Sequence, residues 1–164
     1  MRYIKLTQWK WACVDNEDYD YLMQWKWYAA NIHGCWYAVR TDNKSKKQIK
    51  MHRVVLNVDG SRFPHIDHKN RNGLDNRKCN LRFCNPTLNQ GNKEVYKHSS
   101  KYKGVSKDKD RWRARIMYMS KPFSLGYFDT EKEAAVAYNA AAIKYFGYFS
   151  CLNIVEVRYG ESKG

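Results

Sequence analysis

The segment "TEKEAAVAYNAAAIKYFG", residues 130–147, constrains the fold more than any other, because it predicts a helix with both ends marked. Thr130 and Glu133 have the spacing of a capping box, and Gly147 stands where a helix commonly ends. Six residues recur at helical spacing as one stripe: Ala134, Ala137, Tyr138, Ala141, Ala142 and Tyr145. Because most of them are small, we expect the helix to lie close against a sheet.

The segments before this helix predict the sheet. "RWRARIMYM" (111–119) begins with a strict alternation, and "FSLGYFDT" (123–130) predicts a second strand that ends in a turn. One face of the first strand is apolar, at Trp112, Ala114 and Ile116. The other face is basic, at Arg111, Arg113 and Arg115. We therefore expect a short antiparallel sheet packed on one helix, with arginines on its open face.

The distribution of charge predicts a polyanionic partner. The chain has 30 basic and 16 acidic side chains, and residues 99–121 contain eight basic side chains against Asp108 and Asp110. Arginines on a phosphate backbone release counterions, and their guanidinium groups can bind guanine in a major groove. A solvated edge strand that is kept positive against aggregation is the alternative. The basic side chains exceed that need, so double-stranded DNA is the expected partner.

The same region resembles a known family. "SKYKGVSKDKDRWRARI", "LGYFDTEKEAAVAYNAAAIKYFG" and "LN", across residues 99–153, are similar to the ethylene-response-factor (Apetala-type) DNA-binding domain. The resemblance implies a three-stranded antiparallel sheet on one helix, with the sheet in the major groove. It implies DNA contacts at Lys103, Gly104, Ser106, Arg115 and Ser124, with Trp112 and Arg113 on the same strand as Arg115. The pattern of basic side chains adds Lys107 and Arg111 to the predicted DNA-binding residues. Ser106 and Ser124 depart from the arginine and tryptophan of the plant regulators, so the plant target sequence is not carried over.

A polar stretch, "HIDHKNRNGLDNRKCNLRFCNPTLNQGN" (65–92), has the residues of a hydrolytic site. Its asparagines favour turns, and Pro86 suits the first turn of a helix, so the stretch predicts strand, loop, strand and helix. The Asp67 carboxylate and the Asn89 carbonyl are oxygen ligands for a hard divalent cation. A neutral His68 could accept a proton from water near pH 7, and Asn80 suits a clip across the loop. Together these groups suffice for phosphodiester hydrolysis.

This stretch also resembles the HNH endonuclease motif, in its phage and homing-endonuclease branch. The resemblance makes His68 the general base, Asn80 the N of the motif and Asn89 the counterpart of the last H. It implies that Asp67 joins Asn89 in binding Mg²⁺ or Mn²⁺. "MHRVVL" (51–56) and "LTQWKWACVDNEDYDYLMQWKWYA" (6–29) resemble the preceding regions of the same enzymes.

Other interpretations of this stretch are available. Singly, Asp67 could cap a turn, His68 could be a satisfied polar residue and Asn89 could end a helix. A zinc site would use His65, His68, Cys79 and Cys84, but it would remove the base, and paired CxxC motifs are missing, so no structural zinc is expected. His65 and Arg53 are candidate phosphate contacts, and His52 is expected to be structural or to contact the DNA backbone.

The fold class expected from these patterns is α+β. Residues 1–62 form a β-rich part of the nuclease domain, with a short helix at 15–24, and 63–93 form a ββα-metal HNH hairpin and helix. A linker follows at 94–100, the DNA-binding domain at 101–153 and a tail at 154–164. The tryptophans at 9, 11, 25, 27 and 36 are expected to fill a small core, with base stacking an alternative for one of them.

Several classes of protein are disfavoured. No stretch approaches the roughly 20 apolar residues of a membrane span, and the first residues lack the apolar core of a signal peptide. Five cysteines without a CxxC pair favour a reducing, cytoplasmic location. No nucleotide-binding loop or dimerisation helix is visible, so we expect a monomer on DNA without a nucleotide cofactor.

The expected function is therefore metal-dependent cleavage of DNA by a site-specific nicking or homing-type enzyme. A non-catalytic, sequence-specific DNA-binding regulator is the alternative from another class, and a nuclease directed at RNA is a third. A single HNH site in a monomer favours a nick in one strand.

Overall fold

The computed structural model describes residues 1–58, 64–92 and 99–156. It divides into two compact units, Met1–Pro86 and Thr87–Gly164. The division falls at Pro86, before the expected linker at 94–100, most of which lies outside the described residues. The tail expected at 154–164 is described only as far as residue 156.

The first unit contains small antiparallel sheets and short helices. Strands β1 (Arg2–Lys5) and β2 (Trp11–Val14) form a hairpin, and helix α1 (Asn16–Leu22) follows. A three-stranded sheet consists of β3 (Tyr28–Ile32), β4 (Cys35–Thr41) and β5 (Gln48–Lys50), with β4 in the middle. Helix α2 (Met51–Val55) continues directly from β5.

A second hairpin leads into the helix of the polar stretch. It pairs β6 (His65–His68) with β7 (Leu81–Cys84), and a 3-10 turn (Lys78–Asn80) precedes β7. Helix α3 (Pro86–Asn92) begins at the proline, as the sequence predicts. It extends into the second unit from Thr87 onward.

The tryptophan prediction is correct for only part of the set. Trp27 is buried, and Trp25 and Trp36 pack against the core that Leu22, Val14 and Met51 help to form. Trp9 and Trp11 are 92% and 53% exposed, so the prediction that they fill the core is wrong. Trp9 lies in the β1–β2 turn, and Trp11 occupies an outward position of β2, where burial alternates along the strand.

The second unit is a three-stranded antiparallel sheet packed on one helix. Strands β8 (Val105–Asp108), β9 (Arg111–Tyr118) and β10 (Lys121–Phe128) lie in the order β10-β9-β8. Helix α4 (Glu131–Phe146) has both hydrogen bonds of the predicted capping box, between Thr130 and Glu133. Gly147 ends it with φ of 51°, so both predicted helix ends are confirmed.

The stripe of small residues brings α4 against the sheet. Ala134, Tyr138 and Ala142 are buried on this side of the helix, facing Ala114 and Ile116 of β9. At Gly91 of α3, an added Cβ would lie 2.6 Å from the Phe146 ring, and the Gly91 carbonyl accepts from the Cys151 amide at 3.0 Å. These contacts explain why most of α3 groups with the second unit.

The described residues thus give a mixed α/β fold with four α-helices and several small antiparallel sheets. Within 1–58, 64–92 and 99–156, no helix has the length and apolar character needed to cross a membrane.

Candidate active site and nucleic-acid interface

The β6–β7 hairpin determines where the predicted catalytic residues lie. Asp67 pairs with Arg82, and His68 pairs with Leu81. Because neighbouring residues of a strand point to opposite faces, Asp67 and His68 leave β6 on different sides of the hairpin. The two side chains therefore have separate surroundings.

Asp67 is buried and held by Arg82. The Nε and Nη2 atoms of Arg82 donate to the same carboxylate oxygen, Oδ2, at 2.8 Å and 2.7 Å. Both side chains are largely buried, and a charge-assisted pair of this kind fixes the orientation of the carboxylate. No motif or pattern in the sequence singles out Arg82. The signal was its position in the returning strand opposite Asp67, which becomes visible only once the register is known.

His68 lies in a cluster of rings. Its ring centroid is 5.0 Å from that of His52, which it meets edge to face, and 5.9 Å from that of Tyr37. Burial lowers the pKa of His68 below 6.5, although Asn76 and the nearby Asp67 act in the opposite direction. Burial and the neighbouring His68 lower the pKa of His52 well below 6.5. Both imidazoles are therefore neutral at pH 7, the form in which an imidazole can accept a proton.

Asn80 fastens the loop between β6 and β7. Its Nδ2 donates to the Asp75 carbonyl at 2.8 Å and to Asn70 Oδ1 at 2.9 Å, while its Oδ1 accepts from the Asn70 amide at 3.0 Å. Asp75 in turn binds the Asn70 side chain and the Arg77 guanidinium. The loop thus has its own network of polar contacts, with the Asn80 side chain buried at its centre.

The loop is also fastened to the N-terminal part of its unit. The Cys13 amide donates to the Leu74 carbonyl, and the Asn76 amide donates to the Cys13 carbonyl, both at 2.8 Å. The Asp15 carboxylate precedes α1, but it accepts from the Lys78 amide instead of capping its own helix. At Gly73, an added Cβ would lie 2.4 Å from the Trp36 carbonyl and 2.8 Å from the Tyr37 ring. The glycine therefore allows the loop to press against β4.

The remaining predicted residues of the nuclease site belong to several different elements. Asp67 belongs to the first unit, whereas Asn89 is half-buried in the part of α3 assigned to the second unit. Arg53 donates to the Pro64 carbonyl at 3.1 Å, and His65 pairs with Cys84 across the hairpin. Within the described ranges, no three His, Cys, Asp or Glu side chains are grouped so that they could hold a metal. This includes the four residues of the zinc alternative.

The second unit presents the predicted arginine face. Cα partners share a face, so the register groups Ser106 and Tyr127 with Arg113, and Ser124 with Arg115. Arg111 lies at one end of the row, where its Nε is 3.3 Å from an exposed Asp129 carboxylate. This pair adds little stability but offsets the charge at that end. The cationic character is therefore concentrated at Arg113 and Arg115.

Three residues of the predicted DNA-binding set lie elsewhere. Lys103 Nζ donates to the Gly91 carbonyl at 2.6 Å. Gly104 has φ of +74°, and an added Cβ would lie 2.1 Å from the Tyr138 ring, so its position requires glycine for packing. Lys107 pairs with Trp112, which places it on the helix side of the sheet, with its Nζ 5.8 Å from the Trp112 ring centroid.

Comparison with curated proteins gives two kinds of similarity. The chain is 29% identical over 149 residues to an uncharacterized HNH endonuclease of Acanthamoeba polyphaga mimivirus, across 88% of this chain and 75% of that protein. It is 44% identical over 64 residues to an AP2-like ethylene-responsive transcription factor of Arabidopsis thaliana. The rice factor CRL5 (Oryza sativa subsp. japonica) is 42% identical over 69 residues.

The plant matches cover 37% and 40% of this chain but only 19% and 11% of the plant proteins. No protein-family profile matches the chain, and no solved structure matches it. The chain is therefore similar to an HNH endonuclease over most of its length and to plant AP2-like factors over a shorter part.

Proposed function

We propose that the chain is a metal-dependent DNA endonuclease of the HNH type, which hydrolyses phosphodiester bonds. The observation that carries this proposal is the buried His68, neutral at pH 7, directly after an Asp67 carboxylate oriented by Arg82. Similarity to an HNH endonuclease over 88% of the chain supports the same assignment. A site-specific nicking or homing-type enzyme of a phage or mobile element is the finer form of the proposal.

The chemistry of the donors fits a hard divalent cation, Mg²⁺ or Mn²⁺. Asp67 and Asn89 are the proposed ligands, through a carboxylate oxygen and an amide oxygen, which are the donors that such cations prefer. Because Arg82 contacts Asp67 through Oδ2, it orients the carboxylate. When bound, the cation would offset charge on the scissile phosphate.

In this proposal His68 accepts a proton from the attacking water. A general base must be unprotonated at the working pH, and burial keeps the His68 imidazole in that form. The rings of His52 and Tyr37 hold its orientation. Asn80 acts by holding the loop through Asn70 and Asp75.

The sheet of the second unit is the proposed anchor on double-stranded DNA. Arg113 and Arg115 share its open face with Ser106, Ser124 and Tyr127. Arg115 is exposed and Arg113 is half-buried, and guanidinium groups on a rigid strand suit both phosphates and guanine edges. A monomer with one such anchor and one catalytic hairpin would cut one strand at each binding event.

The test is cleavage of supercoiled plasmid with Mg²⁺ or Mn²⁺, in the presence and absence of chelator. We expect the native chain to form nicked circles only when the metal is available, and His68→Ala to lose cleavage while it retains DNA binding. His33→Ala is the matched control, because His33 is an exposed histidine of the same unit. Cleavage by His68→Ala at the native rate would refute the base assignment.

A non-catalytic DNA-binding regulator is the second candidate. The observation that favours it is the higher identity to plant transcription factors, 44% against 29% for the endonuclease. In the plasmid experiment this candidate predicts equal DNA binding by the native chain and His68→Ala, with no cleavage by either. Competition between duplex DNA and duplex RNA for binding separates both candidates from an RNA-directed nuclease.

A further inference from the structure

The turn between β1 and β2 presents an unusually exposed tryptophan. A hydrogen bond from the Leu6 amide to the Lys10 carbonyl, at 2.9 Å, closes this turn. Gln8 and Trp9 follow each other at its tip with φ of 58° and 56°, and the Trp9 side chain is 92% exposed.

The fold gains little from tryptophan at this position. Left-handed backbone favours glycine or asparagine, and a bulky aromatic residue there is uncommon. An indole normally stabilises a protein by burying its large surface, and Trp9 buries almost none. Within the part of the chain that the structure describes, no aromatic ring or cation packs against Trp9. The side chain therefore suits a contact outside the chain.

The turn is held firmly to the neighbouring sheet. Thr7 Oγ1 accepts from the Ala29 amide at 3.0 Å, and Gln8 Nε2 donates to the Ala29 carbonyl at 3.3 Å. Both residues that precede Trp9 are thereby tied to β3. A side chain on an anchored turn loses less conformational freedom on binding than one on a free loop, so Trp9 is pre-organised for a ligand.

The surroundings of Trp9 specify the kind of ligand. Residues 1–14 contain three basic and no acidic side chains: Arg2, Lys5 and Lys10. The turn itself is polar, with Thr7 and Gln8 directly before the indole. Arg2 lies at the far end of the hairpin and pairs with Asp20, so Lys5, directly before the turn, and Lys10, directly after Trp9, are the cations at this end. A flat, exposed ring next to cations in the sequence matches a nucleic acid, which joins planar bases to a phosphate backbone.

We propose that Trp9 is a DNA-binding residue whose indole stacks on the face of a nucleobase, with Lys5 and Lys10 beside the adjoining phosphates. This inference rests on the proposed function, in that it requires the chain to bind DNA. The contact does not depend on base sequence, since every base has a stacking face. It therefore contributes affinity at any site where a base is unstacked.

Binding of a fluorescein-labelled duplex with one unpaired base, measured by anisotropy in chelator, tests the inference without cleavage. Trp9→Gly suits the left-handed turn and removes the ring, whereas Trp9→Tyr retains a stacking surface. We expect Trp9→Gly to weaken binding about 5- to 100-fold and Trp9→Tyr to retain most of the affinity. Tyr148→Ala, which removes a fully exposed aromatic residue, is the control and should bind as the native chain does.

The salt dependence separates stacking from a change in charge. Stacking releases no counterions, so the slope of log affinity against log salt should be the same for Trp9→Gly and the native chain, while Lys10→Gln should reduce it by about one. Native affinity in Trp9→Gly would overturn the stacking inference and leave the proposed function intact. Failure of the native chain to bind DNA would overturn both.

Discussion

Asn80→Ala should destabilise the first unit by removing the centre of the β6–β7 loop network. The substitution deletes three hydrogen bonds at a residue that is 6% exposed. It leaves the Asn70 amide and the Asp75 carbonyl without the Asn80 partner. An unsatisfied buried polar group costs about 1–3 kcal/mol, and less where water can reach it, as at exposed Asn70. We therefore expect a loss of about 2–4 kcal/mol in the free energy of unfolding.

Urea denaturation followed by tryptophan fluorescence suits this measurement, because five of the six tryptophans lie in the first unit. With a urea dependence of about 2 kcal/mol per molar, the transition should move down by roughly 1–2 M. Asn72→Ala is the matched control, since Asn72 is an exposed residue of the same loop whose side chain accepts one hydrogen bond, from the Leu74 amide. Equal shifts for the two variants would refute the assignment of Asn80 as the clip of the loop.

Three further predictions concern packing, pH and charge. Gly104→Ala should lower the stability of the second unit by more than about 3 kcal/mol in thermal unfolding, because the added Cβ would enter the Tyr138 ring. Gly147→Ala is the control and should cost about 1 kcal/mol, because Gly147 also has positive φ but open space around it. Similar losses for the two variants would refute the packing argument. Because the pKa of His52 is lowered in the fold, the unfolded state binds more protons below pH 6.5, and the first unit should lose stability as the pH falls through this range. His52→Phe should reduce this dependence of the free energy of unfolding on pH, which urea titrations at several pH values would measure. Arg115→Ala should lower the salt slope of DNA binding by about one, while Lys144→Ala, on α4, should leave it unchanged; the reverse order would place the DNA on the helix side.

Sequence patterns predicted the second unit well, because its signals are local. The capping box, the Ala134–Ala142 side of the helix and the alternation around Arg113 each depend on residues only a few positions apart. Lys103, Gly104 and Lys107 were harder to interpret, since the role of each depends on a tertiary neighbour. In each case that neighbour comes from another element: α3, α4 and β9, respectively.

For the polar stretch at 65–92, the sequence indicated which residue types matter but not which contacts they make. Asp67, His68 and Asn80 could be selected from their chemistry and their resemblance to a motif. The Arg82 contact depends on strand register, and the His52 contact brings together residues 16 positions apart in sequence. The exposure of Trp9 was missed because composition predicts burial for tryptophan, whereas the turn imposes exposure.

The pairing of Cys13 with the loop at Leu74 and Asn76 has a consequence for the order of folding. About sixty residues separate these partners in sequence, so the chain must close a long loop before the hydrogen bonds can form. Contacts of such long range form slowly and late compared with a hairpin. We therefore expect the β6–β7 loop to complete its structure only after β2 is in place. A fragment restricted to residues 63–93 would lack Cys13 and Asp15, so we expect that the polar stretch cannot fold as a portable module.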